Sequence, residues 1–188
     1  MFYDNHGRII DYTKVEAVEV NQAKKYVKED DIVLELGARF GGVACATNKI
    51  LKDKTAHYCI EPDKSVWDAL ESNKLANDCH FNIIKGTISK RKQKICGSSW
   101  ATHTVEDPGS DIPNYPLPLV NFTVLIADCE GFLETFYNEN KEFFKGLRLI
   151  LFEKDKPKRC DYNYLVKEFI QLGFKPIKNS FHSVFIKE

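Results

Sequence analysis

An α/β fold built on a mostly parallel sheet is predicted by three observations. Nearly continuous apolar runs recur at residues 32–36, 124–127 and 149–152, and strands apolar on both faces belong to parallel sheets covered by helices. Segments with helical spacing lie between the runs, so the chain alternates strand and helix. Near its end two short β patterns flank Asn179-Ser180, which predicts a terminal hairpin.

The elements follow in order. A helix is expected over 14–28, within an N-terminal helical segment 1–29, and the first strand follows it. Helices are then predicted over 42–51, 65–77 and 133–144, the last from Leu133, Phe136, Tyr137 and Phe144. A late helix begins after Asp161 as N-cap and stops at Gly173. The closing strands are 174–177 and 183–186. Between Thr87 and Asn121 the rhythm breaks into Gly, Ser and Pro. An irregular insertion of that length is usually functional or disordered, and Trp100, His103 and Tyr115 favour a packed, ligand-facing loop.

The chain has 188 residues, 43% of them hydrophobic, with 13 Phe and 8 Tyr, which suits one domain with an aromatic core. Its 27 basic and 27 acidic residues cancel, so no global field draws it to nucleic acid or anionic lipid. Two local basic clusters, 90–94 and 154–159, read as solvated faces. Six cysteines without a CxxC pair suggest a reducing compartment and no structural zinc. With neither a signal-peptide pattern nor an apolar run long enough to cross a bilayer, a cytoplasmic location is expected.

The first strand runs into Glu35-Leu36-Gly37-Ala38-Arg39-Phe40-Gly41-Gly42. In a doubly wound sheet ligands bind beyond the carboxyl ends of the strands, against a Gly turn and a helix N-terminus. Arg39 occupies the second glycine position of a dinucleotide fingerprint, which disfavours a pyrophosphate. The acid-x-Gly-x-x-x-Gly pattern suits S-adenosylmethionine, with Glu35 near the cationic amino-acid end. The second strand ends in Glu61-Pro62, an acid placed to accept both ribose hydroxyls, and Gly86-Thr87 would flank the adenine. Asp128 and Glu130 close the fourth strand and Glu153 the fifth, so the three could converge beside the transferred methyl.

In these residues the chain resembles the FkbM-type methyltransferases. The matching stretches are Leu34 to Gly41, Glu61-Pro62, Gly97-Ser98-Ser99, Asp128-Cys129-Glu130-Gly131 as the D-x-E-G signature, and Phe152-Glu153. The resemblance implies a Rossmann-like class I methyltransferase sandwich, with a mostly parallel seven-stranded sheet and an antiparallel strand from the C-terminal hairpin. It also implies O-methyl transfer to sugars and other hydroxyl-bearing metabolites, and members occur fused to glycosyltransferases. Two positions depart from the family: Arg39 stands where Asn is usual, and Pro118-Leu119-Val120 replaces a common Leu-Asp pair.

Asp128 and Glu130 are the first candidates for the base that deprotonates the acceptor, followed by His182 and His103. Asp128, Glu130 and Glu153 could instead hold a divalent cation. The cofactor set is Glu35, Gly37, Ala38, Arg39, Phe40, Gly41, Glu61, Pro62, Gly86, Thr87 and Asp128. Ser99, Trp100, His103, Tyr115 and Glu153 are expected to face a sugar or glycan acceptor, from an insertion spanning 97–120. RNA or a nucleotide-linked acceptor is a second reading, with phosphate contacts from 90–94, although nucleic acid is the less expected partner. A catalytically silent binding subunit is a third.

Overall fold

A computed structural model describes residues 1–97 and 102–188; the predicted acceptor residues Ser99 and Trp100 lie outside the described residues. In chain order, a short hairpin of β1 (Phe2–Tyr3) and β2 (Ile9–Ile10) precedes α1 (Ala17–Tyr26) and β3 (Val33–Leu36). Then come α2 (Gly42–Ile50), β4 (His57–Glu61), a 3₁₀ turn (Lys64–Val66), α3 (Trp67–Ala76) and β5 (Asn82–Lys85). The insertion contributes β6 (Thr87–Ile88), β7 (Gln93–Cys96), β8 (His103–Glu106) and β9 (Asn114–Tyr115). The chain closes with β10 (Val124–Ala127), α4 (Leu133–Glu139), α5 (Lys141–Gly146), β11 (Leu149–Glu153), α6 (Tyr162–Gln171), β12 (Lys175–Lys178) and β13 (His182–Ile186).

The main sheet has seven strands in the order β12-β13-β11-β10-β3-β4-β5. β13 is antiparallel to both its neighbours, and the other pairings are parallel. Strand order reverses between β3 and β10, which opens a crevice at their carboxyl ends. Alternate residues of each central strand enter cores on opposite faces: Leu34, Leu125 and Ile150 on one, Val33, Val124 and Leu149 on the other. Burial on both faces is the physical source of the continuous apolar runs.

On one face α4, α5 and α6 bring Phe136, Phe144 and Phe169 against Phe152 and Phe185, with Phe144 and Phe169 stacked at 5.5 Å. α1 and α2 cover the other face with Val20, Ala23, Val43 and Leu51. Asp161 caps α6 as expected, its side chain accepting from Tyr164 N at 3.0 Å.

Three expectations are corrected. The N-terminal segment 1–29 is helical only over Ala17–Tyr26, because Phe2–Tyr3 and Ile9–Ile10 pair as a hairpin. The helix predicted over 133–144 breaks at Asn140, whose φ is −133°; its side-chain amide donates to Phe136 O at 3.0 Å, and the turn aims Phe144 into the core. Among the described residues the insertion carries regular pairing: β6 pairs with β9 and β7 with β8. No described helix is long and apolar enough to cross a membrane.

Candidate cofactor and active site

The turn after β3 packs tightly against the end of β10. A Cβ on Gly37, where φ is +88°, would lie 1.8 Å from the Asp128 carbonyl oxygen, so glycine is required by packing against backbone rather than by the ligand alone. Arg39 also lies in the left-handed region, at φ +48°. Asn tolerates that region better than most residues, and Arg39 adopts it here without that advantage. The conformation turns the Arg39 N–H toward Glu61 Oε2 at 2.7 Å, while Asp63 N donates to Glu61 Oε1 at 2.8 Å. The Arg39 guanidinium then bridges Asp63 Oδ2 (3.0 Å) and Thr102 Oγ1 (3.2 Å).

Glu61 is 4% exposed. Burial pushes its carboxyl up to about 7, against the pull of the two N–H donors and the Arg39 charge. Each oxygen keeps a lone pair for a further donor. From Glu61 an open cleft of about 720 Å³, solvent-facing mouth included, runs past Gly37, Gly86 and Thr87 to Asp128, Glu130 and Phe132. Pro62, Arg39 and His103 also line it.

At the far end of this cleft and behind it the ionisable groups are mostly carboxyls. Asp128 is raised to about 8 by burial and then by Asp155, Glu130, Glu19 and Glu35. Glu153 is raised to about 9 by burial, Asp128 and Glu19, and Asp155 to about 6, chiefly by burial. Glu16, at the N-terminus of α1, is raised to about 8 by burial and Asp128. A group held protonated near neutrality by like charges will ionise when a cation enters. The region is therefore suited to a positively charged ligand.

Several predicted residues fall elsewhere. Glu35 is 2% exposed and bound to His57 Nε2 at 3.0 Å; its strand register turns it toward β4, so it borders only a smaller chamber behind the cleft, with Ala38, Glu153 and His182. Phe40 is buried in a hydrophobic cluster with Ile10 and Val66. Gly41 backs onto Leu70. Tyr115 is 43% exposed on β9, beside Gly86 and outside the cleft. Of the suggested metal residues, Asp128 and Glu153 form a close group with Asp155, while Glu130 pairs with Lys156 at 3.1 Å. His182 faces Glu19 and Glu153 at 2.8 and 3.6 Å, not the main cleft.

Glu16, Glu19 and Asp155 were not foreseen. Glu16 and Glu19 are spaced i, i+3 on one helical face, a weak signal because first-turn acids are common at any helix start.

No known family model matches the chain, and no curated protein matches it in sequence. Solved structures do. A precorrin-6Y C5,15-methyltransferase from Geobacter metallireducens superposes with a TM-score of 0.57 at 11% identity, covering 96% of this chain and 92% of that one. A methyltransferase from Pyrococcus furiosus gives 0.55 at 15%, covering 93% and 83%. Trm5b from Pyrococcus abyssi gives 0.52 at 12%, covering 91% of this chain but 47% of its own. The chain is similar to all three in architecture, and its fold is the Rossmann-like fold of class I methyltransferases.

Proposed function

We propose that the chain is an S-adenosylmethionine-dependent methyltransferase that transfers the methyl group to a hydroxyl, with a sugar or glycan as first candidate acceptor. The observation that carries the reading is the polarity of the cleft. At one end Glu61 is held by two backbone N–H groups with lone pairs left for vicinal hydroxyls; at the other, Asp128 and Glu16 are carboxyls kept largely protonated by burial and by neighbouring acids. A ribose and a sulfonium with its ammonium group match those two ends. FkbM-type resemblance at Asp128-Cys129-Glu130-Gly131 is what points to oxygen as the acceptor atom.

Methyl transfer is an in-line displacement at sulfur, so positioning and removal of the acceptor proton are what the protein supplies. Asp128 is the leading base, because it lines the cleft and titrates near neutrality. Glu130 and His103 share the cleft with it.

A second reading, an acceptor bearing phosphate such as RNA, draws on one specific feature. The two basic clusters meet in space: Lys90 and Arg91 face Arg159 across a groove that shares Thr104 and Phe132 with the cofactor cleft. Calorimetry with adenosylmethionine, followed by labelled methyl transfer to panels of sugars, glycans and RNA, tests the proposal. Failure to bind adenosylmethionine would leave only a silent scaffold. Transfer confined to RNA would replace the sugar reading by the second.

A further inference from the structure

We propose that Glu19, Glu153 and His182 form a divalent-cation site in the chamber behind the cofactor cleft, with Asp128 and Asp155 beside it. The three ligands come from α1, the end of β11 and the start of β13. They are brought together by the antiparallel pairing that sets Glu153 opposite His182 and by Gln22, whose amide donates to His182 O at 3.3 Å. One ligand atom from each residue lies within 4.8 Å of the others.

Two further observations point to a ligand. His182 Nδ1 is 2.8 Å from Glu19 Oε1 and 3.6 Å from Glu153 Oε2, yet it is buried and makes no aligned hydrogen bond. The nitrogen and the two carboxylates lie close enough together for one ion to be reached by all three. Asp155 is 8% exposed, and Tyr162 donates to its Oδ1 at 2.6 Å, which leaves the buried Oδ2 without a hydrogen-bond partner. It belongs to a second close group, Asp128, Glu153 and Asp155, which shares Glu153 with the first.

Glu19 and Glu153 thus flank the imidazole, and Asp128 and Asp155 cluster with Glu153. The nearby cations are engaged elsewhere, Lys156 with Glu130 and Lys154 with Asn179. Burying uncompensated carboxylates is costly, and a doubly charged ion removes that cost. Carboxylate oxygens with one imidazole, and no thiolate among the ligands, suit a hard, oxygen-preferring divalent ion that tolerates one nitrogen, such as Mn²⁺. Because Asp128 lines both the chamber and the cleft, an ion here would lower the proton affinity of Asp128 without contact with adenosylmethionine.

The test uses Mn²⁺ on the intact chain without adenosylmethionine, so its outcome is separate from that of the methyltransferase reading. Electron paramagnetic resonance titration should show one tightly held Mn²⁺ per chain, with nitrogen modulation of the echo from a single imidazole. Glu19→Gln and His182→Ala should each weaken binding at least tenfold, and His182→Ala should erase the nitrogen signal while the thermal melt stays cooperative. If either variant fails to fold, Glu153→Gln takes its place. No binding at millimolar Mn²⁺, or binding without nitrogen modulation in the parent chain, would overturn the assignment.

Discussion

Glu61 and Asp128 both close parallel strands at the switch point, but their surroundings prepare them for different tasks. Glu61 is buried yet faces two N–H donors and a guanidinium, and it stays near 7. Ribose hydroxyls bind best to its ionised form, so in the free protein adenosylmethionine must compete with a proton below that value. Affinity should therefore rise with pH, about tenfold between pH 6 and pH 8 for an acid of this strength. Glu61→Gln should flatten this part of the profile, and Glu61→Ala should weaken binding at least tenfold, about 1.4 kcal/mol. Calorimetry across pH reads both, and an unchanged slope in Glu61→Gln would remove Glu61 from the ribose site. Asp128 lies among acids instead, so a cationic donor ionises it in place. Asp128→Asn should lower turnover by ~10²–10⁴ and also weaken cofactor binding, since the carboxylate that ionises beside the cationic donor is lost. Glu130→Gln should have the smaller effect, since Lys156 already engages that carboxylate. Equal, near-parent rates for both variants would place the base at His103.

The insertion is the element whose local structure departs most from its sequence reading. Its Gly and Pro content suggests an irregular wall for the acceptor. Its described strands pair with one another and touch the residues of the proposed cofactor cleft: Thr87 N donates to Pro113 O at 2.9 Å, and Thr102 binds the Arg39 guanidinium. Replacing 98–118 by a short flexible link should thus lower adenosylmethionine affinity as well as transfer, whereas His103→Ala should reduce transfer and spare affinity. Retained affinity in the link variant would mean that the segment serves the acceptor alone. The helices and the main sheet were legible because burial on one or two faces writes a period into the residues. The strands β6 to β9 were not, since separate two-stranded ladders of two to four residues carry too few side chains to show one. The break at Asn140 was hidden for a related reason: Phe136, Tyr137 and Phe144 keep helical spacing across it because both short helices bury the same face.

At the scale of the whole molecule the sheet is polarised, and the sequence disclosed one end better than the other. Acids that close strands beside glycine turns, Glu61 and Asp128, announce a ligand-binding edge, whereas Glu16 and Glu19 join it only because α1 packs over the switch point. Nothing in the sequence singled out the opposite edge. There Asp31, 4% exposed, accepts from Lys28 N (2.7 Å), Thr123 Oγ1 (2.8 Å) and Arg148 Nε (2.7 Å), with a second bond from Arg148. This network ties the entries to β3, β10 and β11 together at the end of the sheet remote from the cleft. Removing one partner of a largely buried pair typically costs roughly 3–5 kcal/mol because the other charge is left unpaired; with Arg148 24% exposed, the low end applies. For a domain of this size about 3 kcal/mol corresponds to a Tm lower by roughly 6–12 °C. Asp31→Ala should show that fall in a thermal melt, while its folded state binds adenosylmethionine as tightly as the parent chain at 20 °C. A matching loss of affinity would mean that the two edges are coupled through the strands and that the sheet is not a rigid divider between stability and chemistry.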